Sequence, residues 1–336
     1  MLPLLTQQIR KVALQKSIGS KMSPLLHIQL LLLLNCTFVS FVGAEQLGST
    51  SAFSHKSPCF LRNSTFSRDI VEGEWKVLPA DTNVPKCLKT EGTERSCTKK
   101  KNKSITAPRI YEPFRCLLPD FDAHKFLHDA LRGRPLYFVG DSVIMQQKTR
   151  LECELKGHNE NKYEIKSIRI SHLEHFRRNI GRLRKIPDRA IIIINVGLHY
   201  NQPEKYNEFL NEFEKFCLRK MCTNGTLIWQ ETSAQHFPGS KNGLFVRRGK
   251  CFRGCSKLDR GKLISVDFRN KMANELMLKY NIQILPVWEL TQAAHSMHVQ
   301  YNSKSGVCDC THFCNLPYGV FRAYNRILQA FLSDIL

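Results

Sequence analysis

The stretch that most constrains this chain runs from Leu136 to Gln147, Leu-Tyr-Phe-Val-Gly-Asp-Ser-Val-Ile-Met-Gln-Gln. Leu136 to Val139 form a short apolar and aromatic run, Gly140 breaks it, and a segment of helical pattern begins at Ser142. The local prediction is therefore strand, tight turn, helix. A serine at such a turn lies at the carboxyl end of a strand, where α/β sheets gather their ligands, and its own N–H sits at the positive end of a helix. Both features favour acyl chemistry at the hydroxyl. Gly-Asp-Ser reads equally well as a polar turn in which Asp141 or Ser142 caps the helix.

A second stretch near the other end weighs on that choice. Asp309-Cys310-Thr311-His312 puts a carboxylate and an imidazole three residues apart. Within one turn of chain the acid can accept a hydrogen bond from one ring nitrogen while the other faces outward, as the base of a Ser-His-Asp relay requires. Alone, an Asp-x-x-His pair is common. With the Gly-Asp-Ser turn it makes Ser142 the candidate nucleophile, His312 the candidate base and Asp309 the group that orients it.

Between these stretches the pattern alternates. Ala123 to Leu131 is helical, Leu136 to Val139 a strand, and Tyr163 to Ile170 a second strand. Ala190 to Val196, with four consecutive isoleucines, has the composition of a strand buried on both faces. Glu204 to Leu218 places Tyr206, Phe209, Leu210, Phe213 and Cys217 on one helical stripe. Leu227 to Gln230 and Ile282 to Val287 add strands, about Leu258 to Lys279 a helix, and Val320 to Leu332 a closing helix. Strands alternating with helices predict an α/β fold, a three-layer α/β/α sandwich around a mostly parallel sheet. On that map Asn195 and Gly197 follow the isoleucine strand and become candidate oxyanion donors beside the Ser142 N–H. His199, His236, His295 and His298 are loose candidates for substrate contacts, with ordinary loop histidines as the plainer reading. No Gly-rich dinucleotide loop or Walker loop is present, so no tightly bound cofactor is implied.

The N-terminal region differs in character. Arg10, Lys11, Lys16 and Lys21 precede an acid-free apolar stretch from about Leu25 to Ala44, which reads as a cleavable signal peptide or as a type II signal anchor. Residues 1–44 are thus a targeting segment, 45–58 a Ser-rich stem, 59–116 a loop-rich, Cys-containing subdomain, and 117–336 the α/β domain. Twelve of the thirteen cysteines follow the targeting segment, an even number that fits disulfides in an oxidising lumen. Sequons at Asn63, Asn102 and Asn224 agree. The short spacings Cys217/Cys222 and Cys251/Cys255, and the trio Cys308, Cys310 and Cys314, predict local bridges. Cys308, Cys310, His312 and Cys314 resemble a zinc cluster, but alternate-residue spacing is not the usual Cys-x-x-Cys knuckle, and no metal is expected.

The formal charge of +21, from 50 basic against 29 acidic residues, gathers at Lys99 to Lys103, Arg177 to Lys185 and Arg247 to Arg253. No stacking module of the RNA-binding kind accompanies it, so nucleic acid is not the expected partner. An anionic glycan or membrane surface fits the charge better, beside the plainer reading of a solvated basic face.

One family carries these motifs in this order. Tyr111-Glu-Pro-Phe-Arg115-Cys116, Leu118-Pro119-Asp120-Phe121-Asp122, Phe126-Leu127, Leu131-Arg132-Gly133 and Phe138-Val-Gly-Asp-Ser142 closely resemble the run into the nucleophile of trichome-birefringence-like proteins, the PC-esterase group of the GDSL/SGNH hydrolases. Ile194 to Gly197, Ser233 to Phe237, Trp288 to Thr291 and Asp309 to Cys314 resemble its later blocks, Trp288 to Thr291 corresponding to the penultimate strand. The chain departs from the family at Met145, usually arginine, at Gln146-Gln147, at Phe313, usually tryptophan, and at Asn315 and Tyr318. The resemblance spans roughly Cys59 to the C-terminus. It implies an SGNH-hydrolase-like sandwich, with residues 59–116 packed over it, that moves acetyl groups onto sugar hydroxyls through an acyl-serine. The implied setting is the Golgi lumen, or secretion after signal cleavage. The implied co-substrate is an acetyl donor, acetyl-CoA or a relayed acetyl group. The implied partners are a polysaccharide acceptor and a membrane acetyl-donor transporter. A carbohydrate esterase and an inactive glycan-binding protein are the alternatives.

Overall fold

The computed structural model describes residues 56–57, 59, 69–70, 72–79, 82, 108–158, 163–216, 225–240, 243–245, 254–257, 267–302, 307–316 and 318–335. The targeting segment, the three sequons, the basic runs 99–103 and 247–253, and Cys217, Cys222 and Cys251 lie outside them.

The chain enters through an antiparallel pair, β1 (Gly73–Val77) and β2 (Arg109–Pro113). A helical segment, α1, follows, its first turn Ala123–Lys125 capped by the Asp122 carboxylate and its continuation Phe126–Leu131 wound as a π-helix. Strands and helices then alternate: β3 (Leu136–Gly140), α2 (Ser142–Leu155), β4 (Ile165–Arg169), α3 (Leu173–Leu183), β5 (Ile191–Asn195), α4 (Pro203–Phe216), β6 (Thr226–Gln230), α5 (Phe268–Lys279) and β7 (Gln283–Leu285). β3 to β7 form a five-stranded sheet, ordered β4-β3-β5-β6-β7 and parallel at every pairing. A short helix, α6 (Trp288–Gln292), leads through a 3-10 turn at His295–Met297 into the antiparallel hairpin β8 (His298–Asn302) and β9 (Val307–Phe313), and α7 (Val320–Ile335) closes the fold.

The two-residue side-chain period of a strand explains the three layers. On one face Leu136 and Phe138 of β3 and Ile191 and Ile193 of β5 pack with α1, α2 and α7. On the other, Tyr137, Val139, Ile192 and Ile194 pack with Phe176 of α3, with Tyr206, Phe209 and Phe213 of α4, and with Ala273 and Met277 of α5. The isoleucine strand is buried on both faces, as its composition predicted, and each such side chain contributes roughly 1.5–3 kcal/mol of burial. The architecture is the expected α/β/α sandwich with a parallel sheet.

Two expectations change. Trp288 to Thr291 is helical rather than a strand, and the Glu231 carboxylate, half-buried at the end of β6, engages its start. One carboxylate oxygen accepts from the backbone N–H groups of Val287 and Trp288 and caps the turn, while the other accepts from Asn274. The second concerns disulfides: Cys255 pairs with Cys310, 55 residues away, so it does not close a local loop with Cys251. Cys59 pairs with Cys116.

Candidate active site

Ser142 is the first residue of α2, and the turn that presents it depends on Gly140. There φ is +148°, and a Cβ would stand 1.9 Å from the Asn195 carbonyl oxygen of the neighbouring strand, so only glycine fits. Asp141 is fully buried and caps the helix, accepting from Val143 N–H at 3.0 Å; its other oxygen lies 3.4 Å from Leu198 N. Burial pushes the Asp141 carboxyl up, against the pull of His199 and of the Val143, Leu198 and Gly197 N–H groups. The capping reading of Asp141 and the nucleophile reading of Ser142 are thus compatible.

His312 Nε2 lies 2.7 Å from the Ser142 hydroxyl, and His312 Nδ1 lies 2.9 and 3.0 Å from the two Asp309 oxygens. With Nδ1–H donating to Asp309, Nε2 accepts from Ser142. The spacing expected within a turn is realised in a distorted strand. His298 faces Phe313 and Gln300 faces Asp309, so two steps along β8 match four along β9, and the surplus forms a bulge at residues 310 to 312. Asp309 Oδ1 accepts from His312 N–H at 3.0 Å, which folds the bulge back on its own carboxylate. Gln146, one turn along α2 from Ser142, donates to the Phe313 carbonyl at 3.1 Å and ties the serine's helix to the histidine's strand.

The electrostatics follow from these contacts. Burial disfavours the charged form of His312, but the hydrogen bond and charge of Asp309, with the charge of Asp141, outweigh it and hold the imidazole above its ordinary value. Burial likewise opposes ionisation of Asp309, and the His312 contacts with the His312 and Thr311 N–H groups pull it below the usual carboxylate range. A hydroxyl, a neutral imidazole and an ionised carboxylate in this order can deprotonate a serine as it attacks an acyl carbon.

The oxyanion donors expected at Asn195 and Gly197 are placed differently. Asn195 Nδ2 donates to the Gln230 carbonyl at 2.8 Å and to Thr232 Oγ1 at 3.0 Å, which spends both amide hydrogens in joining β5 to the end of β6. The Gly197 N–H is turned towards the Asp141 carboxylate. His236 and His298 are buried rather than open to substrate: their rings meet at 2.6 Å, with His236 Nε2 against the Gln292 carbonyl and His298 Nδ1 against the His312 carbonyl. His199 is exposed, and His295 is partly buried. The Cys310 sulfur is bonded to Cys255, and Cys314 is also disulfide-bonded, so neither offers a thiolate to a metal. Contacts that sequence reasoning missed include the Gln146 tie and the paired histidines behind His312. Neither has a local signal in the sequence, whereas the Asp141 cap, legible in the turn itself, is one of the two readings given for it.

A cavity of about 230 Å³, lined by Leu127, Glu152, Leu155, Tyr163 and Ile165, opens at the far end of α2 and includes none of these site residues.

A parallel sheet between helical layers, with a serine at a strand-to-helix turn facing a histidine and a carboxylate, defines an α/β protein with a hydrolase-type constellation at the sheet rim. Residues 118–184 match the model of the PC-Esterase family, described as a GDSL/SGNH-like acyl-esterase family found in Pmr5 and Cas1p. The matched stretch contains Ser142 and ends well before Asp309 and His312. Among solved structures, the protein YXIM of Bacillus subtilis aligns with a TM-score of 0.37 and 13% identity over 60% of this chain and 55% of its own. A GDSL-like lipase of Bacteroides thetaiotaomicron aligns with a TM-score of 0.37 and 11% identity over 64% and 98% of the two chains. A Bacteroides fragilis protein described as an acylhydrolase gives 0.36 and 12% over 64% and 99%. The chain therefore spans little more than half the length of the first of these. No curated protein matches it.

Proposed function

We propose that this protein is an O-acetyltransferase that moves acetyl groups onto hydroxyls of a secretory-pathway polysaccharide through an acyl-Ser142 intermediate. The observation that carries the reading is the line Ser142, His312, Asp309, at 2.7 and 2.9 Å. Ser142 attacks the acetyl carbonyl as His312 takes its proton; the donor's leaving group departs with that proton, and a sugar hydroxyl repeats the sequence in reverse. The Ser142 N–H, at the start of α2, is the donor aimed at the developing oxyanion.

Transfer competes with hydrolysis, and it wins only where an acceptor hydroxyl is held in attacking geometry. The N-terminal hairpin is the candidate for that holding role, since it is tied to the segment that precedes β8. Trp75 Nε1 donates to the Leu290 carbonyl at 2.9 Å and Arg109 donates to Ser296 Oγ at 2.9 Å, which fastens β1 and β2 to the segment leading into the β8–β9 hairpin. The acetyl donor is acetyl-CoA or a group relayed by a membrane transporter, and the setting is the Golgi lumen behind a type II anchor, or outside the cell after cleavage.

The test is to supply purified protein with acetyl donor and a panel of plain and pre-acetylated glycans, following glycan mass. The reading expects acetyl gain on one class of glycan, abolished by Ser142→Ala. Removal of acetyl groups with no gain on any glycan would make the protein a carbohydrate esterase instead.

A further inference from the structure

The rim of the sheet beside Ser142 carries positive groups that the acyl relay does not use. Arg169 ends β4 and pairs in register with Gly140, two residues before Ser142, so the two backbones are about 4.8 Å apart. Ile168 packs on the α3 side of the sheet, and alternation turns Arg169 to the α2 side, from which Ser142 rises. Arg169 is exposed and has no carboxylate partner among the described residues. His172 and His175 stack at 3.9 Å at the start of α3, where His172 makes no side-chain cap. Ser171 Oγ lies 2.7 Å from His175 Nδ1 and fixes that ring. His199, exposed just beyond β5, follows the strand that pairs with β3 and lies near enough to Arg169, His172 and His312 to feel their charges.

The charges these groups meet are almost all of one sign. After burial, the influences on His175 come from His172, Arg178, Arg169 and His199, each disfavouring a further positive charge. For His199 they come from buried Asp141, which favours it, and from His312, His172 and Arg169, which do not. Asp141 is the one acidic group among these influences, and it is buried and held by backbone N–H groups rather than paired with Arg169. An uncompensated guanidinium flanked by imidazole N–H donors is suited to an oxyanion such as carboxylate or phosphate.

We infer that Arg169, with His172, His175 and His199, forms a subsite that holds an anionic oxygen group of a substrate while its acyl group or its hydroxyl is at Ser142. This deepens the reading above and rests on it for the identity of the substrate, but not for the binding itself. The anion can be the carboxylate of an acidic sugar acceptor or a phosphate of the acyl donor.

Equilibrium binding to the full chain separates these sources without requiring turnover. Glucuronate, inorganic phosphate and neutral glucose are titrated into the wild type, Arg169→Gln and the double variant His172→Gln/His175→Gln at constant ionic strength. The expected result is binding of at least one anion, with none of glucose, weakened about tenfold or more by Arg169→Gln. Loss confined to glucuronate assigns the subsite to the acceptor; loss confined to phosphate assigns it to the donor; loss of both shows a general oxyanion receptor. Anion binding that Arg169→Gln leaves unchanged, or no anion binding at all, would overturn the inference. A protein that binds anions through Arg169 yet transfers no acetyl group would leave the subsite standing and remove the transferase reading.

Discussion

His312 joins Ser142 to Asp309 through its two nitrogens, and the proposed chemistry turns on it. A general base must be neutral to act, so activity is lost as pH falls through the pKa of His312. Against the cost of burial, Asp309 and Asp141 hold that pKa above the ordinary histidine value, so the acid limb of kcat/KM is expected above pH 6.5. In Asp309→Asn the limb should move to lower pH while the plateau falls by about 10³-fold or more, because both the orientation and the charge support of the imidazole are lost. A pH–rate profile of the two proteins decides this, and a limb that stays in place would mean another group titrates. His236 does not confuse the result: burial pushes it down to about 4, and His298 is also driven well below its ordinary value. At this scale the sequence was most legible where a motif is local. Ser142 and the Asp309/His312 pair declare themselves by spacing. Asn195 and Gly197 misled because their donors are committed to Gln230, Thr232 and Asp141, partners that only the folded sheet brings near.

Among the elements, the β8–β9 hairpin depends most on support from elsewhere. Its bulge is braced at residue 310 by the disulfide to Cys255, at His312 by the ring of His298 beneath its carbonyl, and at Phe313 by Gln146. Phe313 itself stacks on His298 at 4.2 Å and meets Phe321 edge-on, so the ring that stands where the family usually has tryptophan is a packing group. Replacing both Cys255 and Cys310 by serine opens a closure of 55 residues and should lower unfolding free energy by about 2–4 kcal/mol. It should also reduce kcat by about tenfold, since Asp309 lies beside the lost bridge. Denaturant titration and steady-state kinetics on the double variant check both numbers; unchanged kcat would show that the bulge holds without the disulfide. Strand and helix periodicity made most elements readable, and the exceptions have a common cause. The turn at Trp288 is capped by Glu231 from the end of β6, and Cys255 finds its partner on β9, which are long-range choices that no window of sequence contains.

For the molecule as a whole, the sheet brings together residues far apart in the chain, and the closing helix secures the piece that precedes it. Arg326 of α7 donates to the carbonyls of Pro119, Tyr111 and Leu118, and Arg322 pairs with Asp120 and Glu154, so β2, the approach to α1 and the end of α2 meet on one helix. Trp75 and Tyr111 join the same apolar cluster as α2 and α7. The layer architecture was legible because the consecutive isoleucines mark a strand buried on both faces and the helical stripes specify which face a helix buries. The buried arginines were not, since nothing in their surroundings in the chain distinguishes them from the many exposed ones. This scaffold brings Ser142 and His312, 170 residues apart, within hydrogen-bonding distance, and the central claim is that the contact makes Ser142 a nucleophile. Intact-protein and peptide mass spectrometry after incubation with an activated acetyl ester, without acceptor, tests it most directly. The account predicts one added acetyl group, located on Ser142, absent in Ser142→Ala and much slower to form in His312→Ala; an adduct on another residue, or equal labelling of all three proteins, would contradict it.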